Sequence, residues 1–150
     1  MQFEPSAVME PSPNPLEPVR YGVVAVVPRE GRLLVIRRSA TVLAPRAICF
    51  PGGGIEPGES EPQALIREIQ EELGVDISPV RCLWRSVTAW RIALAWWLAA
   101  LPTAALPVPN PAEVESVHWL TPDEIRAHPD LLQGNIGFLD AVCRGQIELG

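Results

Sequence analysis

The sequence predicts an α+β fold in which helices flank a sheet, an α/β/α sandwich. Three observations carry this. Apolar runs of strand length lie on both sides of one strongly patterned helix, a second helical pattern closes the chain, and no internal repeat competes with that order. At 150 residues the chain fits one domain with a sizeable core.

Residues 1–19 hold five prolines and few apolar anchors, which predicts a flexible arm ahead of a domain spanning 20–150; an interaction motif is the other reading. This arm has neither a basic leader nor a continuous apolar stretch, so no signal peptide is expected. Residues 21–27 (YGVVAVV) form a strand buried on both faces, Pro28-Arg29-Glu30-Gly31 supplies turn chemistry, and residues 32–37 return as the second strand of a hairpin. Residues 38–47 are a loop leading to Phe50.

Residues 50–75 read FPGGGIEPGESEPQALIREIQEELGV: a Gly-rich turn, a loop and a helix. Ser60 and Gln63 have the spacing of a capping box, and Pro62 sits in the first turn, where a missing N–H costs little. Gly74 can take the left-handed cap that ends the helix. At about 100° per residue, Leu65, Ile66, Ile69 and Leu73 share one face, and Glu68, Glu71 and Glu72 share the adjacent one. Carboxylates at i, i+3 and i+4 repel one another. Taken by themselves they are either a solvated face or a site for a hard cation such as Mg²⁺, which prefers oxygen ligands.

Pro79 is expected to interrupt the chain. Residues 80–90 and 91–101 then read as two long strands paired antiparallel. The apolar run 92–101 falls well short of the roughly 20 residues that span a bilayer. Residues 102–111, with four prolines, form a loop, and 113–120 a short strand. Thr121-Pro122-Asp123-Glu124 is a second capping box. Residues 135–147 can form a terminal helix with Ile136, Leu139, Ala141 and Val142 inward.

Net charge is −6, lysine is absent and all twelve basic residues are Arg. A basic field for a nucleic-acid polymer or a membrane surface is therefore not expected. Phosphate contacts fall to Arg, backbone N–H groups or metal. Cys49, Cys82 and Cys143 have no CxxC spacing and no adjacent His, so neither a disulfide framework, a zinc site nor a thiol nucleophile is expected. A reduced cytoplasmic compartment is the simplest expectation.

Gly53, five residues, Glu59, seven residues, then Arg67-Glu68-Ile69-Gln70-Glu71-Glu72-Leu73-Gly74-Val75 resembles the signature of the Nudix hydrolase superfamily at each fixed position. The resemblance implies a Nudix-type sandwich with a mixed β-sheet. It also implies hydrolysis of a nucleoside diphosphate linked to another group, by attack of water on phosphorus. By the same resemblance Mg²⁺ or Mn²⁺ is held by Glu68, Glu71 and Glu72 with the carbonyl of Gly53. Arg67 is implied to orient the carboxylates, with Glu59 as its partner; a helix-stabilising salt bridge is the other, less favoured reading of that pair. The general base is one of the helix glutamates or an acid from a facing loop, for which Glu113 has better spacing to Trp119 than Glu115.

In the MutT-like branch of the family, which acts on nucleoside triphosphates including oxidised ones, an Arg at the position of Arg38 lies near the nucleotide. Asn135 resembles in context an Asn that reads the base there; its other reading is a helix N-cap. Phe138, Trp90 and Trp97 either stack on a base or belong to the core. The segment before Phe50 is loosely similar to coenzyme A diphosphatases but lacks a Gly after Pro45. ADP-ribose, nucleotide sugars and dinucleoside polyphosphates remain alternatives. So does a module that senses a nucleotide without cleaving it, although the complete acid set favours catalysis. The implied partner is a small nucleotide, and the chain is expected to be a monomer or a homodimer.

Overall fold

The computed structural model describes residues 20–150; the arm expected over 1–19 lies outside them. The first strand, β1 (Arg20–Val26), runs into a two-residue strand β2 (Pro28–Arg29), which turns back into β3 (Arg32–Arg38). Glu30 and Gly31 make that turn with φ of 51° and 77°, the paired positive values of a tight hairpin. The expected hairpin is therefore present but shorter than expected, because β2 and not β1 pairs with β3. β1 has already crossed into a different sheet.

A loop leads to β4 (Ile48–Cys49) and β5 (Gly52–Gly54). The glycine run expected to be a tight turn is thus an extended strand, antiparallel to β1 with Gly53 opposite Val23. Glycine is required at 52 because a Cβ there would meet the Val23 carbonyl oxygen at 2.1 Å. Helix α1 (Glu61–Leu73) follows, with the Ser60–Gln63 capping box formed and Gly74 in the left-handed cap. β6 (Ser78–Val87) and β7 (Ile92–Ala100) pair antiparallel as expected. Pro79 does not interrupt β6; it is tolerated because β6 lies at a sheet edge and its ladder is irregular there. The chain ends with β8 (Val114–Leu120), the short helix α2 (Pro122–Arg126), a 3-10 turn at Gln133–Asn135 and α3 (Ile136–Cys143).

The described residues form two four-stranded sheets. One has the order β5-β1-β7-β6; the other has β3 between β8 on one side and β2 and β4 on the other. β1 and β7 run parallel while the other pairs of their sheet are antiparallel, so the mixed character expected is present. Side-chain alternation gives the layers. Val23 and Ala25 of β1 with Leu34 and Ile36 of β3 pack with Leu65, Ile69 and Leu73 of α1. Val24, Val26, Leu33 and Val35 point the other way, toward Ile125 of α2 and Phe138 and Leu139 of α3. Strands buried on both faces read as continuous apolar runs, as residues 21–27 do.

The second layer is centred on aromatic rings. Trp96 and Phe138 stack with centroids 4.4 Å apart, and Phe50 meets both edge-on. Phe138 is thus core. Ile136, expected to face inward, is exposed, because α3 is shorter than expected and begins there. No helix among the described residues is long and apolar enough to cross a membrane.

This inward face predicts that Phe138→Ala costs about 3–5 kcal/mol of stability. Ile136→Ala should stay within about 0.5 kcal/mol. Denaturant unfolding of the two variants measures both.

Candidate functional site

The buried face of α1 is where the structure departs furthest from the simple helical pattern. Glu68 and Glu72 are buried beside Leu65, Ile69 and Leu73, while Ile66 is exposed. Two acids therefore occupy positions on the packed side of the helix, and they do so because β5 stands in front of them. The Gly52 N–H donates to Glu72 Oε1 at 3.1 Å. At Gly53 a Cβ would lie 2.2 Å from the Glu68 carboxyl carbon, so only glycine lets backbone and carboxylate approach this closely.

Arg67 collects the remaining charge. Its Nε and Nη2 donate to both oxygens of Glu59, at 2.7 and 2.8 Å, and Nη2 also donates to the Gly54 carbonyl. Nη1 donates to Glu68 Oε1 at 2.9 Å and Glu71 Oε1 at 3.4 Å. One guanidinium thus ties the loop before the helix, the glycine strand and two helix acids together, which its rigid fork of donors suits. The bonds from Arg67 hold Glu59 well below the usual carboxylate range, at about 2. Burial acts oppositely on the inner acids: it raises Glu68, and it pushes Glu72 up to about 7.

Among the described residues, no three His, Cys, Asp or Glu side chains already stand gathered as a set of ligands. Arg67 engages the Glu68 and Glu71 oxygens that such a set would use. Two observations nevertheless fit a divalent cation. Glu68 Oε2 is buried and has no hydrogen-bond partner among the described residues, a costly state for a carboxylate oxygen. Gly53, without a side chain, lets that carboxylate lie directly against the backbone of β5. Hard oxygen donors in this number suit Mg²⁺ or Mn²⁺.

Glu113 lies just before β8. Its N–H donates to the Asn110 carbonyl, its own carbonyl accepts from Ser39 N, and its charge contributes to the raised pKa of Glu72. Glu115 instead pairs with Arg46 at the surface. The structure thus brings Glu59, Arg67, Glu68, Glu71, Glu72, Gly53 and Glu113 into one neighbourhood.

Arg38 and Asn135 come together elsewhere. Both are buried, and both line a cavity of about 650 Å³ with Phe50, Trp84, Trp90 and Leu132. Arg38 Nε donates to the Leu43 carbonyl at 2.7 Å. Asn135 occupies the cap position of α3 but makes no side-chain cap bond; its Oδ1 accepts from Phe50 N at 3.0 Å. The cap reading of Asn135 is replaced by a long-range tie to the segment that enters the glycine strand. Of the three aromatic candidates, only Trp90 lines this cavity. Phe138 is stacked in the core, and Trp97 donates from Nε1 to Glu61.

The sequence reading missed Asn110, which bonds the end of α1, and Ser39, which is buried against Glu113. The signal for Asn110 was the Asn-Pro pair at 110–111, a turn-initiating dipeptide. Ser39 carried none.

Comparison with known proteins shows the family of the chain. A family model described as the NUDIX domain matches residues 17–142. The chain is 32% identical over 122 residues to the CTP pyrophosphohydrolase of Escherichia coli K12, covering 79% of this chain and 87% of that protein. It is 32% identical over 107 residues to the NAD-capped RNA hydrolase NudC of Stutzerimonas stutzeri, covering 71% of this chain but 38% of that protein. The crystal structure of a MutT protein from Methanosarcina mazei Go1 superposes with a TM-score of 0.73 at 21% identity, covering 87% of this chain and 96% of that one, a likeness of fold. The chain belongs to the Nudix family, as a MutT-like hydrolase of nucleotide pyrophosphate bonds.

The close approach of Gly53 to Glu68 yields a test. Gly53→Ala should leave the fold cooperative but displace the Glu68 carboxylate, lowering kcat/KM by about 100-fold, in line with a misplacement near 1 Å. Steady-state kinetics, with thermal unfolding as control, checks it.

Proposed function

We propose that the chain hydrolyses a nucleoside triphosphate to the monophosphate and pyrophosphate, with Mg²⁺ or Mn²⁺ bound at the acids of α1. The observation that carries this reading is the adjacency of two unlike sites. A cavity of about 650 Å³, within the range of small-ligand sites, is lined by Phe50. Two residues further on, Gly52 holds Glu72. Trp90, Arg38 and Asn135 line that cavity; the ring would stack on a nucleobase and the two polar side chains would contact its edges. Similarity to a CTP pyrophosphohydrolase supports a triphosphate substrate.

Glu68, Glu71 and Glu72, with the Gly53 carbonyl, would hold the cation. When bound, it would neutralise phosphoryl oxygens and lower the pKa of a coordinated water. Arg67, held by Glu59, orients the carboxylates, and release of its bonds to Glu68 and Glu71 would leave those oxygens to the ion. Glu113, beside Glu72 and outside the proposed ligand set, takes the proton from the attacking water. The water oxygen forms a bond to phosphorus, the bridging P–O bond breaks, and pyrophosphate leaves with the electron pair. Trp90, Arg38 and Asn135 hold the base so that phosphorus and water meet in line.

The test is a substrate panel analysed by ion-exchange chromatography: ribo- and deoxyribonucleoside triphosphates with oxidised variants, coenzyme A, ADP-ribose, dinucleoside polyphosphates and nucleotide sugars. Triphosphates should be converted to monophosphate and pyrophosphate. Trp90→Ala should raise KM about 10-fold, the scale of one base–aromatic stack. Turnover confined to another class, or release of a nucleoside diphosphate and phosphate, would contradict the proposal.

A further inference from the structure

Residues 102–111 carry no regular structure, yet the chain there is tied firmly to the acid helix. An α-helix leaves its last carbonyls without internal partners. Here Val108 N donates to Leu73 O at 2.8 Å, Asn110 N to Glu72 O at 2.9 Å, and Asn110 Nδ2 to Glu71 O at 3.2 Å. Three successive carbonyls of the segment that bears Glu71 and Glu72 are therefore satisfied by one loop, two of them by one residue.

The other polar groups of Asn110 face the opposite way along the chain. Its carbonyl accepts from Glu113 N at 2.9 Å and Val114 N at 2.7 Å, and its Oδ1 accepts from Ala112 N at 3.2 Å. Both donors of Asn110 thus enter the helix end and both acceptors hold residues 112–114. Ser39 clamps the same turn from the far side, its N bonding the Glu113 carbonyl at 3.0 Å and its Oγ the Ala112 carbonyl at 3.3 Å. Only an amide side chain two residues before the Ala112 N–H can close this turn and donate to Glu71 O at once.

From this we infer that Asn110 is a positioning residue for the hydrolysis: its side chain, bridging Glu71 O and Ala112 N, braces the turn that carries Glu113 against the C-terminal turn of α1 and so fixes Glu113 relative to the acid helix. The inference rests on the proposed role of Glu113 as proton acceptor. Without the Asn110 side chain the loop keeps its backbone bonds to Leu73 O and Glu72 O but loses those to Glu71 O and from Ala112 N, so the turn that carries Glu113 is no longer braced against the acid helix. Asp at this position would keep the acceptor for Ala112 N but lose the donor to Glu71 O. Its negative charge would also face the negative end of the helix.

The test uses the full chain with Asn110→Ala, Asn110→Asp, Glu113→Gln and the double variants. Each single Asn110 variant should lower kcat about 10- to 100-fold while changing KM for the nucleotide by less than about threefold, since the base cavity is untouched. In the Glu113→Gln background the same substitutions should cost less than about twofold more, the non-additivity of residues acting as a unit. Hydrogen exchange at the Glu113 and Val114 amides, read without any substrate, should accelerate in Asn110→Ala and Asn110→Asp while that of β1 stays unchanged. Additive losses in the double variants, a KM effect with kcat intact, or unchanged exchange at 113–114 would each overturn the inference. If the wild-type chain turned over no nucleotide, the proposed function would fall and the exchange result alone would decide whether Asn110 holds Glu113.

Discussion

Four glutamates of the motif, Glu59, Glu68, Glu71 and Glu72, are crowded at one end of a glycine strand, and the arrangement depends on the single guanidinium of Arg67. Like charges on one helix repel, and burying a carboxylate without a partner costs still more. Arg67 answers both by bonding Glu59 through two nitrogens and reaching Glu68 and Glu71 with a third. The balance is incomplete. Glu72 stays at about 7 and Glu68 is raised, so burial outweighs the charge compensation that these two receive. Such residual frustration is what a bound cation relieves, and active sites are where folds tolerate it.

The same helix explains why the surrounding architecture is needed. α1 presents apolar side chains to one face of both sheets. The acids of its buried face can exist only where β5 offers backbone and no side chains. β5 is in turn held by β1, the strand whose other neighbour, β7, carries the aromatic core. Phe50 then links the halves: it contributes to that core, lines the cavity, and receives the Asn135 side chain on its N–H.

What was legible in the sequence was local or dense in chemistry. Both capping boxes and the Gly74 cap involve residues within a few positions, so Ser60–Gln63, Thr121–Glu124 and the left-handed glycine could be read directly. The acidic motif was legible because its residue types and spacing are so specific. Partners far apart in sequence were not. Nothing in residues 21–37 says that β1 leaves its hairpin for another sheet, since a strand buried on both faces suits either place. The periodicity of α1 put Ile66 inside and the acids aside. Burial of Glu68 and Glu72 depends on glycines in another element, which a helical wheel does not contain. Asn135 looked like a cap because Asn often is one, whereas its bond crosses to Phe50. The loop 102–111 looked structureless because its order comes from the end of a helix far earlier in the chain.

The central claim is that these carboxylates form a divalent-cation site gathered around Gly53 and Glu68. Titration of the wild-type chain with Mn²⁺, followed by electron paramagnetic resonance, tests it most directly beside Glu68→Gln and Glu72→Gln. Neither variant alters the length of the side chain. The account predicts saturable binding in the wild type, weakened about 10-fold or more in each variant, the scale expected when a hard cation loses one charged oxygen ligand. Binding of equal strength in all three proteins, or no saturable binding in any, would contradict it.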